Sequence, residues 1–163
     1  MNGNRAYIGS STFAGSNTNR DYVGNNWTCV LGGQDISGSV ISGASSITGI
    51  ASGSTPITVK ESDFGAATLP PGVFRECGFG LSGGTFTAAS AGTYNIDWPK
   101  SRVAGGGTPV YDWATATGTV SVNFRGNLGG GYHYIDSDVT ISVETLAGGT
   151  HTFDGGGTFR FRG

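Results

Sequence analysis

Charged residues are scarce in this chain, and their scarcity argues against a nucleic-acid partner. Lysine, arginine, aspartate and glutamate make up 12% of the 163 residues, and nine basic against eleven acidic side chains leave a net charge of −2. The basic residues are scattered along the sequence rather than gathered into one stretch. Proteins that bind nucleic acid present a basic face, because neutralising phosphates supplies most of their affinity. We therefore expect no nucleic-acid partner.

Long hydrophobic runs are also missing. No apolar stretch approaches the roughly 20 residues that a membrane-spanning helix needs. Residues 1–5 (MNGNR) lack the apolar core of a secretory signal. We therefore expect no membrane partner. Either the mature form starts with an added Met1, or the protein is made and used without the secretory pathway.

Cysteine occurs only twice, which is too few for a disulfide scaffold. We interpret Cys29 and Cys77 as buried small hydrophobic residues. A disulfide between them is the alternative, and it would require an oxidising compartment.

Glycine, by contrast, is abundant, with 31 residues, whereas lysine and methionine, which favour helices, are rare. Apolar and polar residues alternate over residues 117–124 and 139–146, which is the pattern of half-buried strands. Glycine-rich turns separate about ten such runs. The sequence therefore predicts an all-β protein.

We expect the fold to be an antiparallel β-sandwich of the jelly-roll type, formed by residues 61–163 and closed by a hairpin of residues 151–153 and 158–161. Residues 1–60 are expected to form an extended, Gly/Ser-rich N-terminal arm used in assembly. Within this arm, residues 36–50 carry no charge and cannot bury enough surface alone. They would lie against the main core, stack on copies of themselves, or remain a flexible arm.

Motifs that suggest catalysis have ordinary explanations here. Residues 78–83 match a dinucleotide-binding fingerprint and residues 80–84 a nucleophile elbow, but a strand-like sequence follows where both motifs require a helix. His133, Asp136 and Asp138 lie within one tract, which we interpret as a strand followed by a turn with solvated carboxylates. We therefore expect no catalytic residue, no cofactor and no metal site.

Three aromatic residues form the candidate binding site. Trp98, Tyr111 and Trp113 bracket a loop rich in glycine and proline. Aromatic rings beside a loop can stack on a sugar, and the neighbouring charged side chains would bind its hydroxyls: Asp97, Lys100, Arg102 and Asp112. The alternative is that the rings are core anchors. The alternation of Tyr94, Ile96 and Trp98 places Trp98 on a buried face, whereas the position of Trp113 stays open.

Residues 84–96 (GTFTAASAGTYNI) resemble the strand–turn–strand signature of C1q/TNF-like jelly-roll domains and of bacteriophage fibre and decoration proteins. Residues 158–161 resemble the aromatic final strand of that family. The resemblance implies a non-enzymatic virion protein, most simply a capsid decoration or head-fibre protein. Its partners would be other virion proteins and copies of itself, in a trimer for example. A carbohydrate-binding module or a tail-fibre tip that recognises a cell-surface glycan is the alternative.

Overall fold

Strands account for all of the regular secondary structure in the described part of the chain. The computed structural model describes residues 18–80, 84–100 and 108–162, together with the backbone of residues 5–6 and 10–13. The strands are β1 (Arg5–Ala6), β2 (Ser10–Phe13), β3 (Asp21–Asp35), β4 (Val40–Ser52), β5 (Ile57–Lys60), β6 (Phe64–Leu69), β7 (Gly72–Arg75), β8 (Thr85–Ala88), β9 (Gly92–Asp97), β10 (Val110–Asp112), β11 (Val120–Leu128), β12 (Gly131–Ile135), β13 (Val139–Leu146), β14 (His151–Gly155) and β15 (Thr158–Phe161). No helix that could cross a membrane occurs among the described residues.

The strands stack in two columns and pair in parallel throughout. One column runs β1, β3, β4, β5, β7, β9, β11, β13, β15, and the other runs β2, β3, β4, β6, β8, β10, β12, β14. The long strands β3 and β4 belong to both columns, because each bends round the corner between them. A chain wound into such stacked coils is a β-solenoid.

The coils differ widely in length. The register partner of Ile57 is Gly72, whereas the partner of Thr93 is Ser121, so the second of these coils contains almost twice as much chain as the first. The loops between strands hold the extra residues, so the paired strands keep the same register from coil to coil. The sequence therefore carries no fixed period of the kind that usually identifies a solenoid.

Ladders of apolar side chains fill the interior. In the first column Ile41, Val59, Phe74, Ile96, Phe124 and Val143 follow one another in register, and each is buried. In the second column the ladder is Ala67, Phe86, Tyr111, His133 and Phe153. Because parallel strands repeat every 4.7–4.9 Å or so, identical positions on neighbouring coils are in contact, and the rings stack along the axis.

The predicted antiparallel jelly roll is wrong. The alternating runs do form strands, β11 and β13, but these pair in parallel. The expected closing hairpin is absent, because β14 pairs with β12 while β15 pairs with β13. The strands within residues 84–96, β8 and β9, likewise belong to different columns. Alternation reports only that one face of a strand is buried, and it is the same for either strand direction.

The predicted extended arm is also wrong over the part of residues 1–60 that the structure describes. Strands β4 and β5 pair directly with β6 and β7, β3 pairs with β4, and Ile41 and Ile47 are buried in the common core. Of the three arrangements considered for residues 36–50, packing against the main core is the one observed. Neighbouring coils supply the surface that this stretch cannot bury by itself.

Candidate functional site

One corner of the solenoid repeats the same backbone turn in five successive coils. The last register-paired residues before the corner are Ser42, Lys60, Arg75, Asp97 and Arg125. The residue after each has a positive φ: Gly43 (73°), Glu61 (49°), Glu76 (53°), Trp98 (48°) and Gly126 (82°). We call these five residues the corner ladder.

Backbone hydrogen bonds hold the corner ladder together. The amide groups of Glu61, Glu76 and Trp98 donate to carbonyl oxygens of the next coil, at 3.0, 2.9 and 2.8 Å. A left-handed conformation costs a residue with a side chain about 1–2 kcal/mol. Such conformations persist where the surroundings enforce them, and they concentrate at ligand sites. A tryptophan in this position therefore marks the corner as a candidate site.

Trp98 projects from the corner into solvent, and 56% of its surface is exposed. The guanidinium carbon of Arg75 lies 5.6 Å from the centre of the indole ring, within range of a cation–π interaction. On another side the ring edge touches the backbone of Gly126. A Cβ atom at Gly126 would lie 2.7 Å from Cδ1 of Trp98, so only glycine leaves room for this ring position.

The residue before the exposed tryptophan is a buried carboxylate, Asp97. Asp97 is almost fully buried, with its Oδ2 3.6 Å from Nη2 of Arg75 and its Oδ1 3.7 Å from Nε of Arg125. These two arginine side chains come from the coils before and after Asp97, and about half of each is exposed. The carboxylate thus attracts both guanidinium groups to one place while their remaining N–H groups stay open to solvent.

The three-residue aromatic rim predicted from the sequence is not assembled. Tyr111 and Trp113 are buried within the ring stack of the interior, with 5.7 Å between their ring centres. Trp98 lies outside, so its predicted place on the buried face is wrong. Strand β9 ends at Asp97, and the left-handed turn at Trp98 reverses the alternation that the prediction had extended.

The charged residues proposed beside the rim have separate roles. Lys100 donates a hydrogen bond of 2.8 Å to Asp63, and Asp112 accepts bonds from the backbone and side chain of Thr115. Arg102 lies outside the described residues. Arg75 and Arg125 were missed, because each lies a full coil away from Asp97 along the chain and only the register of the coils brings them together.

The tract around His133 forms part of the core and a turn. The buried ring of His133 accepts a hydrogen bond at Nδ1 from Nε1 of Trp113, at 3.2 Å. Burial, with a smaller contribution from His151, lowers the pKa of His133 to about 3. Asp136 accepts the backbone N–H of Asp138 in the turn between β12 and β13. No group of three His, Cys, Asp or Glu side chains that could hold a metal ion occurs in the described ranges.

Both cysteines are buried free thiols, as expected. Burial raises the pKa of each thiol to about 12. Cys77 makes weak hydrogen bonds to the carbonyl oxygens of Val59 and Arg75 beneath the corner ladder. The thiols therefore act as packing groups.

Comparisons with known proteins do not assign this chain to a family. No protein-family profile matches it, and no curated protein or solved structure shows significant similarity.

Proposed function

We propose that this chain is a non-enzymatic binding module of a bacteriophage fibre, and that it attaches to a cell-surface glycan through Trp98. The observation that carries the proposal is the exposed indole of Trp98, held at a strained corner between Arg75 and Arg125. Sugar rings present an apolar face that stacks on aromatic rings, and their hydroxyl groups accept hydrogen bonds from guanidinium groups.

The position of Asp97 favours binding over catalysis. A glycosidase needs carboxyl groups that reach the glycosidic bond. Asp97 lies under both guanidinium groups and is buried, so it organises the arginine side chains and is out of reach of a ligand.

The shape of the molecule supports a fibre role. Eight register steps separate β1 from β15, which at about 4.8 Å per step gives a stack about 38 Å long. Continuous ladders of packed side chains make such a stack a rigid spacer. A virion assembled in the host cytoplasm is the setting expected from the sequence. The proposal rests on Trp98 and on the shape of the stack and not on residues 84–96, because β8 and β9 do not form the strand–turn–strand unit of a jelly roll.

Tryptophan fluorescence offers a direct test, because Trp27 is 3% and Trp113 0% exposed whereas Trp98 is 56% exposed. Quenching by acrylamide therefore reports mainly on Trp98. We would measure it with and without neutral polysaccharides (dextran, mannan, galactan) and acidic ones (alginate, polysialic acid). Protection of Trp98 by one of them supports the proposal, and no protection and no binding across the panel would refute it.

Two variants distinguish binding at Trp98 from non-specific binding to exposed aromatic side chains. Trp98→Ala is expected to weaken binding by about 1–3 kcal/mol, as for an aromatic hot spot, with little change in stability. Tyr134→Ala is the matched control, because Tyr134 is 43% exposed on the outer face of β12, away from the corner. Equal losses in both variants would contradict a specific site.

A second candidate role, capsid decoration or head-fibre assembly, is favoured by the last coil. Phe161 is 64% exposed at this end and lies against Phe159, at 5.1 Å between ring centres. Strand β15 pairs with β13 and ends its column, so its other edge has no partner strand among the described residues. An exposed aromatic group beside such an edge suits contact with another virion protein or a second copy. Native mass spectrometry of the wild type and of Phe161→Ser tests this, since only an end-face assembly dissociates in the variant.

A further inference from the structure

The corner that carries Trp98 continues into a cleft on the earlier coils. The cleft has a volume of about 410 Å³, and its polar side chains are Asn25, Asn26, Ser45, Glu61 and Asp63. Glu61 is also a member of the corner ladder, so the cleft and Trp98 lie on one line along the solenoid axis.

Small residues keep the cleft open. Gly24, Gly43 and Ala44 line it, and a Cβ atom at Gly43 would overlap the carbonyl oxygen of Gly24. Close contact of the two coils at this point thus depends on glycine. The resulting depression is lined by backbone and by amide, hydroxyl and carboxylate groups.

Lys100 connects the two parts of this surface. The residues after Trp98 run back along the corner, since the amide of Lys100 donates to the carbonyl oxygen of Cys77 at 2.9 Å. The Nζ atom of Lys100 then donates to Oδ1 of Asp63, which lines the cleft, at 2.8 Å. The surface from Trp98 to the cleft is therefore continuous.

The spacing and charge of this surface indicate its ligand. Three coil steps, or about 14 Å at 4.8 Å each, separate Gly43 from Trp98 along the corner ladder. One coil step is close to the length of one sugar unit in a linear polysaccharide. The acidic groups Glu61, Asp63 and Glu76 lie along this line beside the basic groups Arg75, Lys100 and Arg125. The two signs offset each other, so the surface holds no excess charge that would favour an acidic or a basic glycan.

We propose that the cleft and Trp98 are the two ends of one groove that binds a neutral linear polysaccharide along the solenoid axis, with one sugar unit per coil. This inference rests on the proposed glycan-binding function. Trp98 stacks on one sugar, and Glu61 binds the hydroxyl groups of a sugar about two units away. Asn25 and Asn26, beside Gly43, bind those of a sugar about three units away. The shortest chain that occupies the whole groove has about four units.

The test is the dependence of affinity on chain length. Fragments of one to six units, prepared from the neutral polysaccharide that protects Trp98, would be titrated by calorimetry. Affinity is expected to rise up to about four units and then level off. The variants Asn26→Gly and Glu61→Gly remove cleft side chains at positions whose positive φ suits glycine, so folding is preserved.

Each cleft variant is expected to lose about three- to tenfold in affinity for four-unit chains, as for one lost hydrogen bond, and nothing for two-unit chains. Thr55→Ala, in a cleft at the opposite corner, is the matched control and should bind all lengths as the wild type does. Binding that does not depend on chain length, or a preference for an acidic polysaccharide, would overturn the groove. A loss of glycan affinity in Trp98→Ala would in that case still support the proposed function. Unchanged binding in Trp98→Ala would overturn both.

Discussion

Acid is expected to destabilise this protein through one buried histidine. The ring of His133 is fully buried between the rings of Tyr111 and Phe153, at 4.5 and 4.8 Å between ring centres. Its Nδ1 accepts the indole N–H of Trp113, which fixes the proton of the neutral ring on Nε2. Nε2 has no hydrogen-bond partner among the described residues. A second proton, on Nδ1 of His133, would point at the indole N–H of Trp113 and place two hydrogen-bond donors face to face in an apolar site.

The magnitude follows from the pKa of His133, which burial lowers from 6.5 to about 3. In the unfolded chain His133 becomes protonated below about pH 6.5, whereas in the folded chain it stays neutral down to about pH 3. The free energy of unfolding therefore does not depend on His133 above about pH 6.5, and it falls by about 1.4 kcal/mol for each pH unit below that value. The loss reaches on the order of 5 kcal/mol at about pH 3, which is a large part of a typical domain's stability.

Urea denaturation at pH 7, 6, 5 and 4 measures this loss. Carboxyl groups also titrate in acid, so the informative quantity is the difference between the wild type and Trp113→Phe/His133→Phe. The double variant removes the imidazole without leaving an unpaired indole N–H. Trp113→Phe alone keeps the histidine and should keep the acid sensitivity. Equal slopes for the wild type and the double variant between pH 6.5 and 4 would refute the reasoning.

Three further predictions concern packing. Phe74→Ala opens a cavity in the central ladder and should cost about 3–5 kcal/mol of unfolding free energy in urea, whereas Phe161→Ala, exposed at the end, should cost less than about 1 kcal/mol. Gly126→Ala should displace the indole of Trp98 and blue- or red-shift its fluorescence, and an unchanged spectrum would contradict the contact. The two cysteine thiols, buried and with raised pKa values, should react with a thiol reagent only on unfolding, so rapid labelling of the native protein would show that the corner opens.

The sequence by itself determined the all-β class and the inward-facing residues of individual strands. Alternation over residues 120–124 correctly places Val120, Val122 and Phe124 in the core, because a strand's side chains alternate whatever it pairs with. The burial of both cysteines follows equally from their chemistry. These properties are local, and local composition is enough to predict them.

Tertiary structure alone decided the strand direction, the coils and the site. Parallel pairing depends on the path of the loops, and coils of such unequal length leave no repeat for the sequence to display. Trp98 faces solvent because a left-handed corner interrupts the alternation of β9. The stacking of three coils in register brings together Arg75, Asp97 and Arg125. Their proximity therefore depends on how the whole chain is wound, and no single segment of the sequence predicts it.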